Sequence, residues 1–391
     1  MVDEMKKLGI CVRYDCNNYG SMLQIYATQR IVKNAGWDYE HIRYDKKTVG
    51  FMIKNVTRLF NPYFMSGKIM NLKKAMRASK YPEVKQGDAE RKQLFGSFRK
   101  EYIGPYSDVY KGEKNLVKGT DKYDAVMVGS DQLWTPAGIK SRFYNLLFVP
   151  DKIKKISLAT SFGVTRIPIN QMKTTQEYLN RIEHLSVREI SGAKIVKKLT
   201  GRTAKVVLDP TLWLTKEEWD EAFPPKRLEE GKYIFAYFLG TNTAHRKTAE
   251  EFAKSRNLPI VTCPHLDDFV KEDLEFGDHK RFDVGPAEFL NLIRGAEYVI
   301  TDSFHGTVFS ILNRRPFVTF GRYAEGAHSR NSRIESLLKQ LDIESRYSKP
   351  ELGRVEKLID TEIDFDKVER RLAKLRQDAY GFIENALNGE E

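Results

Sequence analysis

A chain of 391 residues, 41% apolar and 30% charged, is too long for one ordinary core and too apolar for a disordered segment. Its three cysteines, Cys11, Cys16 and Cys263, exclude a disulfide framework, match no zinc-ligand spacing and suit a reducing compartment. The net charge of +12 is compatible with a phosphorylated substrate, an anionic membrane surface or a nucleic acid.

In chain order, Leu8 to Tyr14 reads as a buried strand, and Asp15 to Gly20 as a turn-rich loop. Ser21 to Ala35 has helical periodicity and stops at Gly36, a suitable residue just past a helix end. Tyr39 to Tyr44 reads as a second strand, giving a βαβ opening. From Lys46 to Pro82 there is no Asp or Glu, while Lys and Arg alternate with Phe51, Phe60, Tyr63, Phe64 and other apolar residues. Such a stretch suits either an amphipathic helical insertion or docking on anionic lipid.

A polar helix is expected over Asp88 to Tyr102. Strands follow at Asp124 to Val128, Ile156 to Ser161, Leu185 to Val187 and Val206 to Leu208, with helices at Gln171 to Arg181 and Ser191 to Leu199. Thr215 is a helix cap with Glu217 and Glu218 in the first turn. Beyond it, strands are expected at Tyr233 to Leu239, Ile260 to Thr262, Tyr298 to Thr301 and Phe317 to Phe320. They alternate with helices at Thr243 to Ser255, Pro286 to Arg294 and Thr307 to Asn313. A helix to Leu341 and a long charged helix over Asp364 to Leu387 complete the chain.

This alternation predicts an α/β protein with mostly parallel sheets, and the length suits two domains. The expected division is 1–212, carrying the basic insertion at about 46–82 and joined by the C-terminal helix 364–391, and 213–363. The charged N-terminus (Asp3, Glu4, Lys6, Lys7) lacks an apolar h-region, so no signal peptide is expected. No apolar run approaches the roughly 20 residues that span a bilayer. A cytoplasmic protein, with possible peripheral contact at the inner membrane face, is the expectation.

Ligands of open α/β sheets bind beyond the carboxyl ends of the strands. That rule selects Asp15 to Ser21, Gly129 to Trp134, Ser161 to Gly163, Arg188 and Asp302 to Thr307. Ser303 can cap a helix whose first turn holds His305, Gly306 and Thr307, where unpaired N–H groups favour an anion. His305 there can bind phosphate or exchange protons; the plain alternative is a capped helix with a partly buried histidine. Arg188 suits bidentate capture of a carboxylate or phosphate, or else pairs with Glu183 or Glu189. Ser130, Asp131, Gln132 and Trp134 mix polar partners with an aromatic plane, as a sugar site does; alternatively the tryptophan is core. Asn18, Tyr19 and Gly20 either bind a ligand or form an Asx turn and helix cap. No Walker, HExxH, GxSxG or cysteine-cluster motif is present, so neither a metal nor a cofactor is expected.

Taken in order, these segments resemble the polysaccharide pyruvyl transferase family. The likeness is carried by Asn18-Tyr19-Gly20-Ser21, Tyr123 to Trp134, Ser161-Phe162-Gly163, Ser186-Val187-Arg188-Glu189, Val207 to Thr211, Thr301 to Thr307 and Asn331 to Ile334. It implies two Rossmann-like domains in a GT-B-like arrangement, with phosphoenolpyruvate as co-substrate and a saccharide acceptor, a glycan or a lipid-linked oligosaccharide. The implied product is a cyclic pyruvyl ketal, with phosphate released. By the same likeness His305 and Arg188 match donor-site positions and are expected to be catalytic, and the ketal chemistry itself suggests Asp131 or Asp302 to orient the acceptor or act as base. Ser303, Phe304, Gly306 and Thr307 would lie at the donor, and Asn18, Tyr19, Gly20, Ser130, Gln132 and Trp134 at the acceptor. Several relatives have Arg-Leu-His where this chain has Ser303-Phe304-His305, so Arg333 or Arg330 is expected to supply the cation. The alternatives are a GT-B glycosyltransferase using a nucleotide sugar and a non-catalytic saccharide-binding module; nucleic-acid binding has no motif behind it.

Overall fold

The computed structural model describes residues 5–46, 80–265, 270–323 and 331–389. Most of the basic insertion therefore lies outside the described residues, and so does the lipid-docking expectation that rested on it, together with Arg330. Among the described residues, no helix is long and apolar enough to cross a membrane.

The first sheet contains β1 (Lys7–Cys11), β2 (Asp38–Asp45), β3 (Tyr106–Lys111), β4 (Ala125–Val128), β5 (Lys154–Thr160), β6 (His184–Val187) and β7 (Lys205–Val206). The second contains β8 (Ile234–Tyr237), β9 (Ile260–Thr262), β10 (His279–Lys280), β11 (Tyr298–Thr301), β12 (Phe317–Phe320) and β13 (Tyr347–Ser348). The helices are α1 (Tyr19–Asn34), α2 (Pro82–Tyr102), α3 (Glu113–Lys118), α4 (Ile169–Asn180), α5 (Ile190–Thr200) and α6 (Lys216–Ala222). They continue with α7 (Thr243–Arg256), α8 (Pro286–Gly295), α9 (Phe304–Leu312), α10 (Ser332–Leu341), α11 (Leu352–Asp360) and α12 (Phe365–Asn388).

Every pairing between these strands is parallel. The orders are β3-β2-β1-β4-β5-β6-β7 and β10-β9-β8-β11-β12-β13. Both are doubly wound, and each reverses direction at one point: between β1 and β4, and between β8 and β11. The central strands β4 and β8 are buried along their whole length, which is why they read as uninterrupted apolar runs. The strands absent from the sequence reading are β3, a polar edge strand, and the two-residue strands β10 and β13. None has an apolar pattern to betray it. Helix α2 begins at Pro82 instead of Asp88, with Pro in its first turn and Glu83 facing the helix N-terminus. Helix α9 begins at Phe304, three residues earlier than its apolar periodicity suggests, because Ser303 Oγ accepts from Gly306 N at 3.2 Å.

Helices α1 and α9 join the two halves. From Tyr19 to Gln29 every residue of α1 is buried, and so is every residue of α9. Between the sheets, Tyr19 stacks on Phe289 of α8 at 4.8 Å and 5° and contacts Phe95 of α2 and Tyr237 of β8. Helix α12 returns from the second half to the first: Arg376 Nε donates to Leu212 O at 2.7 Å, and Trp37 Nε1 donates to Asn388 Oδ1 at 2.7 Å. Phe289→Ala removes the stacking partner of Tyr19 and leaves a cavity in this shared core. It is expected to destabilise the protein by about 3–5 kcal/mol, read as a lowered urea midpoint; an unchanged midpoint would show that the halves are not held through this contact.

Candidate active site

The two reversal points face one another across a cleft of about 360 Å³ lined by Asn18, Gly20, Asp131, Gln132, Phe304 and His305, among others. Its charged walls are Arg13, Arg322, Arg333, Asp131 and the titratable His305. From the first sheet, Asn18 Oδ1 accepts from Ser21 N at 3.0 Å and starts α1. Ser21 Oγ in turn donates to Asp131 Oδ2 at 2.7 Å. Asp131 has φ +78, a left-handed conformation that turns the chain back after β4 and points the carboxylate into the cleft. From the second sheet, the Ser303 cap sets the first turn of α9, which carries His305.

Beneath the cleft lies a buried ion pair. Arg188, at the end of β6, has its side chain only 2% exposed, and Nη1 donates to Asp209 Oδ2. Asp209 is fully enclosed. Its Oδ2 also accepts from Ser130 Oγ at 3.0 Å, and Oδ1 accepts from Thr211 N at 3.0 Å and Thr211 Oγ1 at 2.6 Å. His305 Nε2 stands 3.7 Å from Asp209 Oδ1. Arg188 Nη2 lies 3.8 Å from Asp131 Oδ1. Burial opposes ionisation of Asp209, but Arg188, with His305 and Thr211, holds its carboxyl far below the usual range. Burial likewise opposes ionisation of Asp131, and Arg188, His305 and Ser21 prevail there too, so this carboxyl is also lowered. Glu189 behaves oppositely: burial raises it, although Ser161 Oγ and Phe162 N each donate to Oε1 at 3.0 Å.

The ring of Phe304 contacts two guanidiniums, with Arg188 Cζ 4.6 Å and Arg333 Cζ 5.6 Å from its centroid. Arg333 Nε and Nη2 reach the Gln132 amide oxygen at 3.1 and 2.8 Å when that amide is oriented to accept. Burial, reinforced by the like charge of Arg188, pushes the Arg333 guanidinium down to about 9. Arg333 is thus a cation at the cleft on the same side as Ser303, where the likeness left a cation unassigned.

The cleft gathers Asn18, Gly20, Asp131, Gln132, Ser303, Phe304, His305 and Arg333, all expected from sequence. Other expected residues do different work. Trp134 is 4% exposed, packs on Phe162 and Tyr178 and donates to Tyr144 O, so it is core and offers no sugar platform. Tyr19 is spent on the stack with Phe289. Ser130 turns inward to Asp209. Thr307 bonds Ser303 O and Thr319, and a methyl on Gly306 would meet Thr301 Oγ1 at 2.7 Å, so both serve the seating of α9. Asp302 accepts from Leu239 N and Gly240 N at 2.8 Å each and faces away from the cleft. Arg188 pairs with Asp209, not with Glu183, which pairs with Lys155, nor with Glu189. Asp209, Arg322 and Arg13 were missed. Asp209 had a visible signal, an acid followed by proline just after a strand; the arginines had none, because their place in the cleft depends on how the halves face each other.

A family model described as polysaccharide pyruvyl transferase matches residues 18–322. General stress protein 30 of Bacillus subtilis (strain 168) is 26% identical over 191 residues, 47% of this chain and 53% of that protein, so the chain spans about half the length of this curated relative. Among solved structures, the S. aureus MnaA–UDP co-structure aligns with TM-score 0.55 at 10% identity over 99% of this chain and 98% of that one. UDP-GlcNAc 2-epimerase of Methanocaldococcus jannaschii aligns with TM-score 0.53 at 11% identity over 92% and 93%. At such identities the likeness is one of fold, and the fold is GT-B-like.

Asp209→Asn leaves the buried Arg188 charge without its partner and is expected to cost about 3–5 kcal/mol in chemical denaturation at pH 7. Because the folded carboxyl is held below its unfolded value of about 4, the pair's contribution is complete above that pH and is lost as pH falls. The wild type and Asp209→Asn should therefore converge in stability toward low pH; a constant gap would refute the assignment. A methyl on Gly20 would fall 1.9 Å from His305 Nδ1. Gly20→Ala should displace the ring and shift the His305 imidazole NMR resonances while the far-UV spectrum stays native; unmoved resonances would contradict the contact.

Proposed function

The chain belongs to the polysaccharide pyruvyl transferase family, and from that premise we propose that it transfers a pyruvyl group from phosphoenolpyruvate onto two hydroxyls of a saccharide. The observation that carries the reading is the charge at the cleft: three arginines, Arg13, Arg322 and Arg333, face one carboxylate, Asp131, beside a histidine in the first turn of a helix. A small donor bearing both a carboxylate and a phosphate answers that excess of positive charge.

In the proposed reaction a proton is delivered to the methylene carbon of the donor, which becomes the methyl group. One acceptor hydroxyl bonds to the adjacent carbon, the carbon–oxygen bond to phosphate breaks, and the second hydroxyl closes the ketal. Two hydroxyl protons are released. They balance the proton taken up by the methyl group and one that leaves with phosphate. His305 is the proton donor, its ring held with Nε2 3.7 Å from the Asp209 carboxylate. Arg333, braced by Gln132, holds the donor's anionic groups at the helix N-terminus. Asp131, kept ionised and fixed by Ser21, accepts a hydrogen bond from the acceptor hydroxyl and orients it. Arg188 acts from behind, through Asp209 and Phe304, as a positioning residue.

Phosphoenolpyruvate at a hundredfold excess over its Kd should stabilise the protein by about 2.7 kcal/mol. Stabilisation by a nucleotide sugar instead would favour a glycosyltransferase on the same fold. His305→Ala should lower kcat by about 10²–10⁴-fold with the donor still bound, and turnover at the wild-type rate would end the assignment. Arg333→Met should weaken phosphoenolpyruvate binding at pH 7 by about tenfold or more, and an unchanged affinity would remove Arg333 from the donor site.

A further inference from the structure

A second cavity, of about 580 Å³, opens at the carboxyl ends of the second sheet, between Thr241 and Asn242 after β8, Gly321 to Tyr323 after β12 and Lys349 and Pro350 after β13. Arg322 borders both this cavity and the cleft that holds His305. Among the described residues the wall carries Arg322, Lys349 and Arg354 and no carboxylate. Neither Lys349 nor Arg354 is in an ion pair with any described residue, and both are exposed. Asn242 caps α7 by accepting from Ala244 N at 3.0 Å, so the positive end of that helix is presented at the same wall. His245, 1% exposed, closes the back of the cavity, with Nε2 3.2 Å from Asn242 Nδ2 and Nδ1 3.6 Å from Asp302 Oδ2. That last contact leaves Asp302 shared between His245 and Arg322, whose Nε lies 3.4 Å from Oδ1.

Two cations without an ion pair among the described residues, Lys349 and Arg354, stand with Arg322 around a concave site at strand ends backed by a helix N-terminus, and such an arrangement forms an anion receptor. The volume exceeds what one phosphate needs and suits a phosphate or diphosphate with a group attached. We infer that this cavity is a second anion site, distinct from the donor site, which takes a phosphate or diphosphate group through Lys349, Arg354 and Arg322. Two sources share that chemistry: a phosphorylated leash on the saccharide acceptor, and a free anion acting as an effector. Only the first rests on the pyruvyl-transfer reading.

The test is a calorimetric titration of the full chain with inorganic pyrophosphate, with phosphoenolpyruvate present to occupy the cleft. Lys349→Ala/Arg354→Ala changes two exposed side chains and should weaken pyrophosphate binding by about tenfold while leaving phosphoenolpyruvate affinity within about twofold. Arg333→Ala should weaken phosphoenolpyruvate and spare pyrophosphate. Pyrophosphate binding that survives the double substitution, or that is lost with Arg333→Ala instead, would overturn the second site. A further arm compares phosphorylated and unphosphorylated saccharides as acceptors. A rise in KM confined to the phosphorylated acceptor in the double variant assigns the anion to the acceptor, and unchanged KM for both, with pyrophosphate binding lost, assigns it to a free effector. The titration requires no turnover, so a protein that binds pyrophosphate as described but does not bind phosphoenolpyruvate would sink the pyruvyl-transfer reading and leave this site standing.

Discussion

The structure depends on one buried ion pair. Arg188 and Asp209 come from neighbouring strands of the first sheet, and both are withdrawn from water. Isolated, either charge would be costly in the interior. Paired, and completed by Ser130 and Thr211, they form a fixed charged floor. On that floor rest the groups that face the cleft: His305 from the second sheet lies against Asp209, Asp131 lies near the free edge of the guanidinium, and Phe304 covers its face. The pair thereby links a strand end of one domain to a helix N-terminus of the other.

Packing between the halves supplies the precision that charge alone cannot. Helix α1 is buried on nearly all sides because it sits between its own sheet and the second domain, and Gly20 allows the His305 ring to lie directly against its backbone. Any larger residue would occupy the space of the ring. The same helix positions Ser21, which fixes Asp131. One short segment, Asn18 to Ser21, thus caps a helix, admits the histidine and orients the carboxylate, which gives a physical reason for its compact sequence.

Local signals in the sequence were enough for the βα alternation, the Ser303 cap and the assignment of His305 to a helix's first turn. They were enough for Asp131 as well, since a strand followed by small polar residues and an acid describes a strand end. Residues whose fate depends on tertiary contact were not legible. Trp134 and Tyr19 look like ligand platforms in sequence, but whether an aromatic faces a cleft or a core is decided by what packs over it, here Phe162 and Phe289. Arg13 and Arg322 join the cleft only because the two halves turn their strand ends toward each other. The polar edge strand β3 and the two-residue strands β10 and β13 carry no hydrophobic period at all.

The central claim is that this charged cleft joins a phosphoenolpyruvate-derived pyruvyl group to a saccharide. The most direct measurement is acceptor-dependent phosphate release from phosphoenolpyruvate, with mass spectrometry of the saccharide from the same reaction. Phosphate released in step with a pyruvyl ketal on the saccharide, and both slowed by about 10²–10⁴-fold in His305→Ala, is the predicted result. Phosphate release without a modified saccharide, or transfer of a sugar from a nucleotide donor with no use of phosphoenolpyruvate, would contradict the account.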